Sequence, residues 1–168
     1  SLPTIQFLLQ NKCRIVLMSH LGRPKGFDAT LKMDSVAELL QELSKHQVTK
    51  LDDCIGSDVF VAVKNMKEGD IILLENLRFY SDEEKNSKKF AQELSNLADI
   101  YVDDAFGAIH RSHASVDAIA DFLPSCAGFL VEKELSVLGK LLTSPTHPFV
   151  AIMGGAKVSD KINVIQKL

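Results

Sequence analysis

Short apolar runs rich in β-branched residues alternate along this chain with longer segments whose apolar positions recur at helical spacing. The segments that predict strands are residues 14–18, 47–50, 70–74, 99–102 and 148–153. The segments that predict helices are residues 2–10, 34–45, 57–66, 88–97, 131–142 and 158–168. This alternation is typical of a parallel sheet covered by helices on both faces. We therefore predict an α/β fold with a doubly wound parallel sheet, a Rossmann-like three-layer sandwich.

The composition fits a globular chain and excludes several classes of function. Of the 168 residues, 46% are apolar and 24% are charged, which favours a packed core over disorder. The net charge of −3 gives no overall positive field for nucleic acid or an anionic membrane, and no run of 18 apolar residues predicts a membrane span. The three cysteines are far apart and lack a C-x-x-C motif, which favours free thiols in a reducing compartment. Any anion site must therefore be local.

The candidate chemistry lies in the loops after the predicted strands, because ligands of open α/β sheets bind outside the carboxyl ends of the strands. Three of the four arginines, Arg23, Arg78 and Arg111, fall in these loops. A guanidinium can hold a carboxylate or a phosphate through two parallel hydrogen bonds. Three guanidinium groups at one rim of the sheet would form a pocket for a small, multiply charged anion. The alternative is that each arginine pairs with an acidic neighbour and has only a structural role.

Other polar residues in these loops are open to a structural interpretation. His20 follows the first predicted strand in a loop with two glycines and a proline, and it is either a hydrogen-bonded structural residue or part of the anion pocket. Glu75 and Asn76 follow the third strand, and we expect them to cap the loop after them rather than to contact a ligand. These side chains would then fix the loops that present the arginines.

The densest loop, residues 103–115, combines adjacent carboxylates with a His-x-x-His pair. Asp103 and Asp104 are neighbours on a strand, so they point to opposite faces and cannot chelate together. His110 and His113 lack a third placed ligand, which is weak support for zinc. We predict no metal here, and we expect Asp103 or Asp104 to cap backbone donors or to orient an arginine or a histidine.

A glycine pair separates the last predicted strand from the last predicted helix. Gly154 and Gly155 allow a phosphate to approach the backbone there, and Lys157 and Lys161 fall one helical turn apart. The loop matches neither of the two named phosphate-binding motifs, G-x-x-x-x-G-K-[ST] and G-x-G-x-x-G. The glycines alone are weak support, and phosphate contact by this loop and its two lysines stays an open interpretation.

Taken together, the loops resemble those of the phosphoglycerate kinases. The stretches that carry the resemblance are residues 19–26, 75–79, 104–115, 127–135 and 151–161. They follow one another in the family's order and cover the whole chain. The resemblance implies an enzyme of two doubly wound lobes that transfers a phosphoryl group reversibly between 1,3-bisphosphoglycerate and ADP, giving 3-phosphoglycerate and ATP in glycolysis.

The resemblance also implies roles for individual residues. It places the 3-phosphoglycerate or 1,3-bisphosphoglycerate ligand on four basic side chains and one backbone position, namely His20, Arg23, Arg78, Arg111 and Gly107. It makes Lys157 the catalytic lysine that neutralises the transferring phosphoryl group, and Lys161 a contact to the nucleotide phosphates. Mg²⁺ would arrive with ADP or ATP, with no protein ligands to it in this chain.

Under the same resemblance, the chain divides into three parts. Residues 1–126 correspond to the substrate lobe without its first strand, residues 127–145 to the helix and linker between the lobes, and residues 146–168 to the first strand and helix of the nucleotide lobe. A run of prolines and hydroxyl residues at 143–148 is consistent with a boundary there. We therefore expect this chain to be an incomplete part of a monomeric, cytoplasmic kinase and to be inactive alone.

Two other interpretations of the chain stay open at this point. One is a non-catalytic module that binds phosphate or carboxylate groups through the same arginines. The other is a fragment that associates through an exposed sheet edge. Binding of 3-phosphoglycerate and light scattering, respectively, would distinguish them from the kinase lobe.

Overall fold

A computed structural model describes residues 1–152, apart from the side chain of Leu142. Within this range the strands are β1 (Ile15–Leu17), β2 (Val48–Lys50), β3 (Ile71–Leu73), β4 (Tyr101–Asp103) and β5 (Ser125–Ala127). The α-helices of the same residues are α1 (Leu2–Gln10), α2 (Asp34–Ser44), α3 (Ser57–Lys64), α4 (Ser81–Glu84), α5 (Lys88–Ser95) and α6 (Phe129–Thr143). Single-turn 3-10 helices occupy Ala29–Leu31, Leu77–Phe79 and Ala118–Asp121.

The strands form two parallel sheets. In the first, β3 lies between β1 and β2, with Ile71 opposite both Ile15 and Val48. In the second, β4 pairs with β5, and Tyr101 lies opposite Ser125. Because all the pairings are parallel, the carboxyl ends of neighbouring strands emerge at the same edge of each sheet. This arrangement brings the loops after β1 and β3 side by side.

Alternate residues of β3 bury opposite faces of the sheet. Ile71 packs with Ile5 of α1, and Leu73 packs with Met33 beside α2. Ile72 faces the other way, into the largest cluster of the core, where it joins Phe90 of α5. Side chains in a strand alternate between faces, so a strand that is apolar at every position must be covered on both sides. The predicted three-layer α/β architecture is therefore confirmed.

Most of the predicted elements are present within the described residues, and the differences have physical causes. The strand β5 was not predicted, because residues 125–127 are all exposed and form no apolar run; pairing with β4 defines the strand. Residues 148–152 of the predicted last strand form no strand, and Ile152 is 95% exposed. A strand needs a neighbour for its backbone groups, and the structure pairs this segment with none of the described residues. The remainder of that unit, including the predicted helix 158–168, lies outside the described residues.

Candidate functional site

The loops after β1 and β3 are joined by hydrogen bonds through Asn76. Asn76 is fully buried, and its Nδ2 donates to the carbonyl oxygens of Leu21 (2.8 Å) and Leu31 (2.9 Å). Its Oδ1 accepts from the backbone N–H of Arg78 at 3.1 Å and so caps the turn Leu77–Phe79. The expected capping role of Asn76 is confirmed. One buried amide therefore fixes the position of the turn that carries Arg78.

Glu75 supports the same turn from beneath. Its Oε1 accepts from the backbone N–H groups of Met33 (2.9 Å) and Asn76 (2.8 Å), and its Oε2 accepts from Lys50 Nζ at 2.6 Å. Burial alone would lower the pKa of Lys50, but the hydrogen bonds from its ammonium to Glu75 and Asp52 outweigh burial and raise that pKa. Lys50 is thus held in its charged form, and Glu75, which it contacts, has the structural role that the sequence predicted.

Arg78 is the most deeply buried cation of the site, with 5% of its surface exposed. Its Nη1 donates to the carbonyl oxygen of Gly22 at 2.7 Å. Its Nε lies 3.2 Å from Glu84 Oε1, but without hydrogen-bond geometry, and its Nη2 has no hydrogen-bond partner among the described residues. Nε and Nη2 share the edge of the guanidinium that binds an oxyanion through two parallel hydrogen bonds. A buried edge without hydrogen bonds is costly in a folded protein and needs an explanation.

Three further cationic or titratable groups lie beside Arg78. His20 is half-buried, and burial lowers its pKa, with further lowering by the positive charges of Arg78 and Arg111 and by His113. Arg78 and Arg111 are thus near enough for their charges to act on His20, although they stand in the loops after β3 and β4 and His20 follows β1. The effect of both guanidinium groups on His20 is consistent with the predicted convergence of His20, Arg78 and Arg111, which stays a prediction. We call these four residues the cationic pocket.

The other predicted contacts are less closely tied to this pocket. Arg23 is exposed and follows directly after Gly22, whose carbonyl holds Arg78. Gly107 is exposed, and a Cβ added to it would meet no atom within 4 Å. The fourth arginine, Arg14, lies at the surface with its Nη2 3.9 Å from Asp99. Lys157 and Lys161 lie outside the described residues, so their roles stay predictions.

A buried carboxylate that the sequence did not reveal fixes the loop of Arg111. Glu83 of α4 is 1% exposed, and it accepts hydrogen bonds from Ser115 Oγ (2.6 Å) and the Ser115 backbone N–H (3.0 Å). His113 Nδ1 lies 3.6 Å from the same carboxylate. Glu83 stands in the run Ser-Asp-Glu-Glu-Lys, which is typical of a solvated surface, so only the tertiary structure identifies it. The clamp fixes the spacing between the Arg78 turn and the Arg111 loop.

The two adjacent carboxylates after β4 cap backbone donors, as predicted. Asp103 Oδ1 accepts from the Ala105 N–H at 2.9 Å. Asp104 Oδ1 accepts from the Leu130 N–H at 2.8 Å and thereby caps the first turn of α6, while its Oδ2 accepts from Thr4 Oγ1 at 2.9 Å. Within residues 1–152, neither carboxylate forms an ion pair with Arg111 or a histidine. Asp104 therefore attaches the long helix α6 to the sheet.

The histidines of this loop do not point to a metal site. His110 is exposed, His113 is buried against Glu83, and residues 105–117 form turns rather than a helix. Within the described part of the chain, no group of three or more histidine, cysteine or acidic side chains has the arrangement that a metal ion needs. Nor is any helix there long and apolar enough to cross a membrane.

Fold and pocket together define a parallel α/β domain that gathers cationic side chains at the carboxyl ends of its strands. A protein-family model described as phosphoglycerate kinase matches residues 1–168. The chain belongs to the phosphoglycerate kinase family.

Individual relatives agree with the family match. The chain is 54% identical over 168 residues to a phosphoglycerate kinase of Dictyoglomus turgidum and 55% identical over 169 residues to that of Moorella thermoacetica, with all of this chain covered. It resembles the crystal structure of the phosphoglycerate kinase from Pyrococcus horikoshii, with a TM-score of 0.87 and 33% identity over 98% of this chain. The corresponding structure from Coxiella burnetii gives 0.82 and 36%, again over 98% of this chain. The chain spans only part of each of these proteins. It covers 42% of the Dictyoglomus and 43% of the Moorella sequence, and 42% of the Pyrococcus and 41% of the Coxiella chain.

Proposed function

We propose that this chain provides the phosphoglycerate-binding part of a kinase that transfers a phosphoryl group reversibly between 1,3-bisphosphoglycerate and ADP. The observation that carries the proposal is the Nε–Nη2 edge of Arg78, which is buried and has no hydrogen bond to any of the described residues. Membership of the phosphoglycerate kinase family supports the choice of ligand. In the proposal, 3-phosphoglycerate provides the oxyanion that completes this edge.

The charges of the pocket suit such a ligand. 3-Phosphoglycerate carries a phosphate and a carboxylate, so it can bind two cationic groups at once. At an effective dielectric constant near 20, one charge pair at about 4 Å has a Coulomb energy of roughly 4 kcal/mol before desolvation. Arg78 and Arg111 would bind the anionic groups directly, and His20 would donate a hydrogen bond. Arg23 and the backbone of Gly107 would complete the pocket from its exposed side.

Catalysis of phosphoryl transfer depends on positioning and on positive charge around the moving group rather than on a protein nucleophile. The pocket would hold the acceptor carboxylate in place and would exclude part of the surrounding water. Lys157 would neutralise the transferring phosphoryl group, and Lys161 would contact the nucleotide phosphates. Mg²⁺ would enter as part of the Mg–nucleotide substrate, which fits a pocket whose charged groups are mainly cations. The remainder of a longer protein would bind that nucleotide.

The proposal extends to a monomeric protein of the cytoplasm. The three cysteines Cys13, Cys54 and Cys126 are free thiols, which is consistent with a reducing compartment. Burial, together with the nearby carboxylates Asp53 and Glu75, raises the pKa of Cys54 and keeps it protonated. Cys54 is therefore a core residue rather than a nucleophile.

Binding of 3-phosphoglycerate to the 168-residue chain tests the proposal. We expect weak binding that is lost as salt is added, because the interaction is largely between charges. Replacement Arg78→Lys keeps the charge but removes the two-bond edge, so we expect at least about a tenfold loss of affinity from one charge-assisted hydrogen bond of about 1.5–3 kcal/mol. Arg14→Lys is the matched control, because Arg14 lies at the surface beside Asp99.

A comparison of the affinities of the two variants for 3-phosphoglycerate can support or contradict the proposal. Equal affinity in the Arg78→Lys and Arg14→Lys variants, or no binding to the unchanged chain at low salt, would contradict the assignment of this pocket to phosphoglycerate. Calorimetric titration gives the affinities directly. A thermal unfolding curve for each variant shows that the fold is retained.

A further inference from the structure

Glu84 lies at the edge of Arg78 that lacks hydrogen bonds. It is the last residue of α4, and its side chain is 55% exposed, whereas that of Arg78 is 4% exposed. The distance from Glu84 Oε1 to Arg78 Nε is 3.2 Å, although the geometry is not that of a hydrogen bond. The Glu84 carboxylate thus stands where an anionic ligand would approach, without satisfying the guanidinium.

Of the three guanidinium nitrogens of Arg78, the two that lack hydrogen bonds to the described residues, Nε and Nη2, share this edge. Gly22 already holds Nη1 from the opposite side at 2.7 Å. Of the acidic side chains described, Glu84 is the one that forms an ion pair with Arg78. The exposed Glu84 carboxylate can turn into solvent when a ligand oxyanion takes its place, because Arg78 then keeps an anionic partner. A ligand can therefore displace Glu84, but it must compete with it.

The negative charge of Glu84 also reaches further into the pocket. It opposes the effects of burial, Arg78, Arg111 and His113, which together lower the pKa of His20. The two buried groups that support the pocket, Glu75 and Glu83, are engaged by other partners. Glu84 is therefore the acidic side chain that both lies at the ligand edge and is free to leave it.

We propose that Glu84 is an internal counterion that competes with the anionic ligand for the Arg78 edge and thereby weakens its binding. The proposal rests on the proposed function only for the identity of the natural ligand, since the competition applies to any oxyanion. The Glu84 carboxylate offsets one of the positive charges of the pocket. It also favours release of the bound anion, because the carboxylate can return to Nε.

A role for Glu84 in orienting Arg78, rather than in competing with the ligand, predicts the opposite change in ligand affinity. If Glu84 oriented Arg78 for the ligand, removal of its charge would weaken binding. If Glu84 competes, the same change strengthens binding by about two- to fivefold at low salt, the range that exposed ion pairs contribute. The direction of the change therefore distinguishes the two roles.

The test compares Glu84→Gln with Asp82→Asn in the 168-residue chain. Both substitutions remove one negative charge from α4, but the exposed Asp82 forms no ion pair within the described residues. Calorimetric titrations use two probes, inorganic phosphate and 3-phosphoglycerate. We expect both probes to bind two- to fivefold more tightly to Glu84→Gln, no change in Asp82→Asn, and loss of the difference at high salt.

The two probes separate failure of this inference from failure of the proposed function. Unchanged or weaker binding of both probes in Glu84→Gln would overturn the competition. Tighter binding of phosphate, with no affinity for 3-phosphoglycerate in any variant, would support the competition while refuting the ligand assignment. An equal gain in Asp82→Asn would reduce the effect to net charge and would also overturn the proposal.

Discussion

Replacement of Gly128 by alanine tests how helix α6 is attached to the rest of the domain. Gly128 is the N-cap of α6 and has an ordinary φ of −79°, so alanine would meet no backbone strain there. A Cβ at this position would, however, lie 2.5 Å from Cγ and 2.7 Å from Cβ of Asp104. Because real Cβ atoms do not approach other atoms so closely, Asp104 must move away. The substitution would therefore break the hydrogen bonds by which Asp104 caps α6, although Asp104 itself is unchanged.

The cost follows from the contacts that Asp104 makes. Its Oδ1 accepts from the Leu130 N–H at 2.8 Å, and its Oδ2 accepts from Thr4 Oγ1 at 2.9 Å. Loss of a cap costs about 0.5–2 kcal/mol, and loss of a hydrogen bond to a charged group about 1.5–3 kcal/mol, with overlap between the two. We expect the free energy of unfolding to fall by about 2 kcal/mol, or about 4–8 °C in Tm for a chain of this size.

Gly139 provides the matched control, because it lies inside the same helix and a Cβ there would meet no atom within 4 Å. Gly139→Ala should stabilise the chain by up to about 1 kcal/mol, the difference in helix propensity. In an Asp104→Gly background both contacting carbons of the side chain are gone, so Gly128→Ala should then cost only about 0.5–1 kcal/mol, the difference between glycine and alanine at an N-cap. Urea unfolding of the four variants measures these differences. Equal effects of Gly128→Ala with and without Asp104 would refute the reasoning.

Two further predictions concern the support and the charge of the pocket. Ser115→Ala removes the 2.6 Å hydrogen bond to buried Glu83, so we expect a loss of about 1–3 kcal/mol of stability, measured by urea unfolding. The same change at exposed Ser112 is the control and should have almost no effect. Similar losses at both sites would contradict the role of Glu83 in holding this loop. The pKa of His20 is lowered in the folded chain from its ordinary value of 6.5. When the pH falls below 6.5, the unfolded chain therefore binds a proton at His20 before the folded chain does. This group's contribution to stability is therefore full above pH 6.5 and declines as the pH falls toward the native pKa. A bound anion should raise the pKa of His20, as observed by histidine NMR; a pKa that stays constant on saturation with 3-phosphoglycerate would place the ligand elsewhere.

The sequence predicted the architecture well because β3 and its neighbours have strong, simple patterns. Ile71, Ile72 and Leu73 are apolar without interruption, as a strand covered on both faces requires. The strand β5 has no such pattern, because its three residues are exposed and only pairing with β4 defines it. Residues 148–152 show the reverse case, in which an apolar run lacks a pairing partner among the described residues. Local pattern therefore identified a strand where a β-rich run also had a pairing partner, as in β2, and it missed β5, which has the pairing without the run.

The position of the candidate site could be predicted from the sequence, but the hydrogen bonds and ion pairs that hold it could not. Placement in the loops after parallel strands was enough to select His20, Arg78 and Arg111 as candidates, because ligands of open α/β sheets bind at the carboxyl ends of the strands. Burial of Arg78 and the clamp by Glu83 depend on contacts across more than 30 residues of sequence, and no local spacing encodes them. The same holds for Glu84, which has the appearance of an ordinary surface charge until its distance to Arg78 is known.

The structure of this chain with 3-phosphoglycerate bound is the most direct test of the central claim, which is that the open edge of Arg78 binds a ligand oxyanion. We predict a phosphate or carboxylate oxygen at about 2.7–2.9 Å from Nη2, the distance of a charge-assisted hydrogen bond, with Glu84 turned away from Nε. A bound ligand that leaves this edge empty, with Glu84 still beside Nε, would contradict the account.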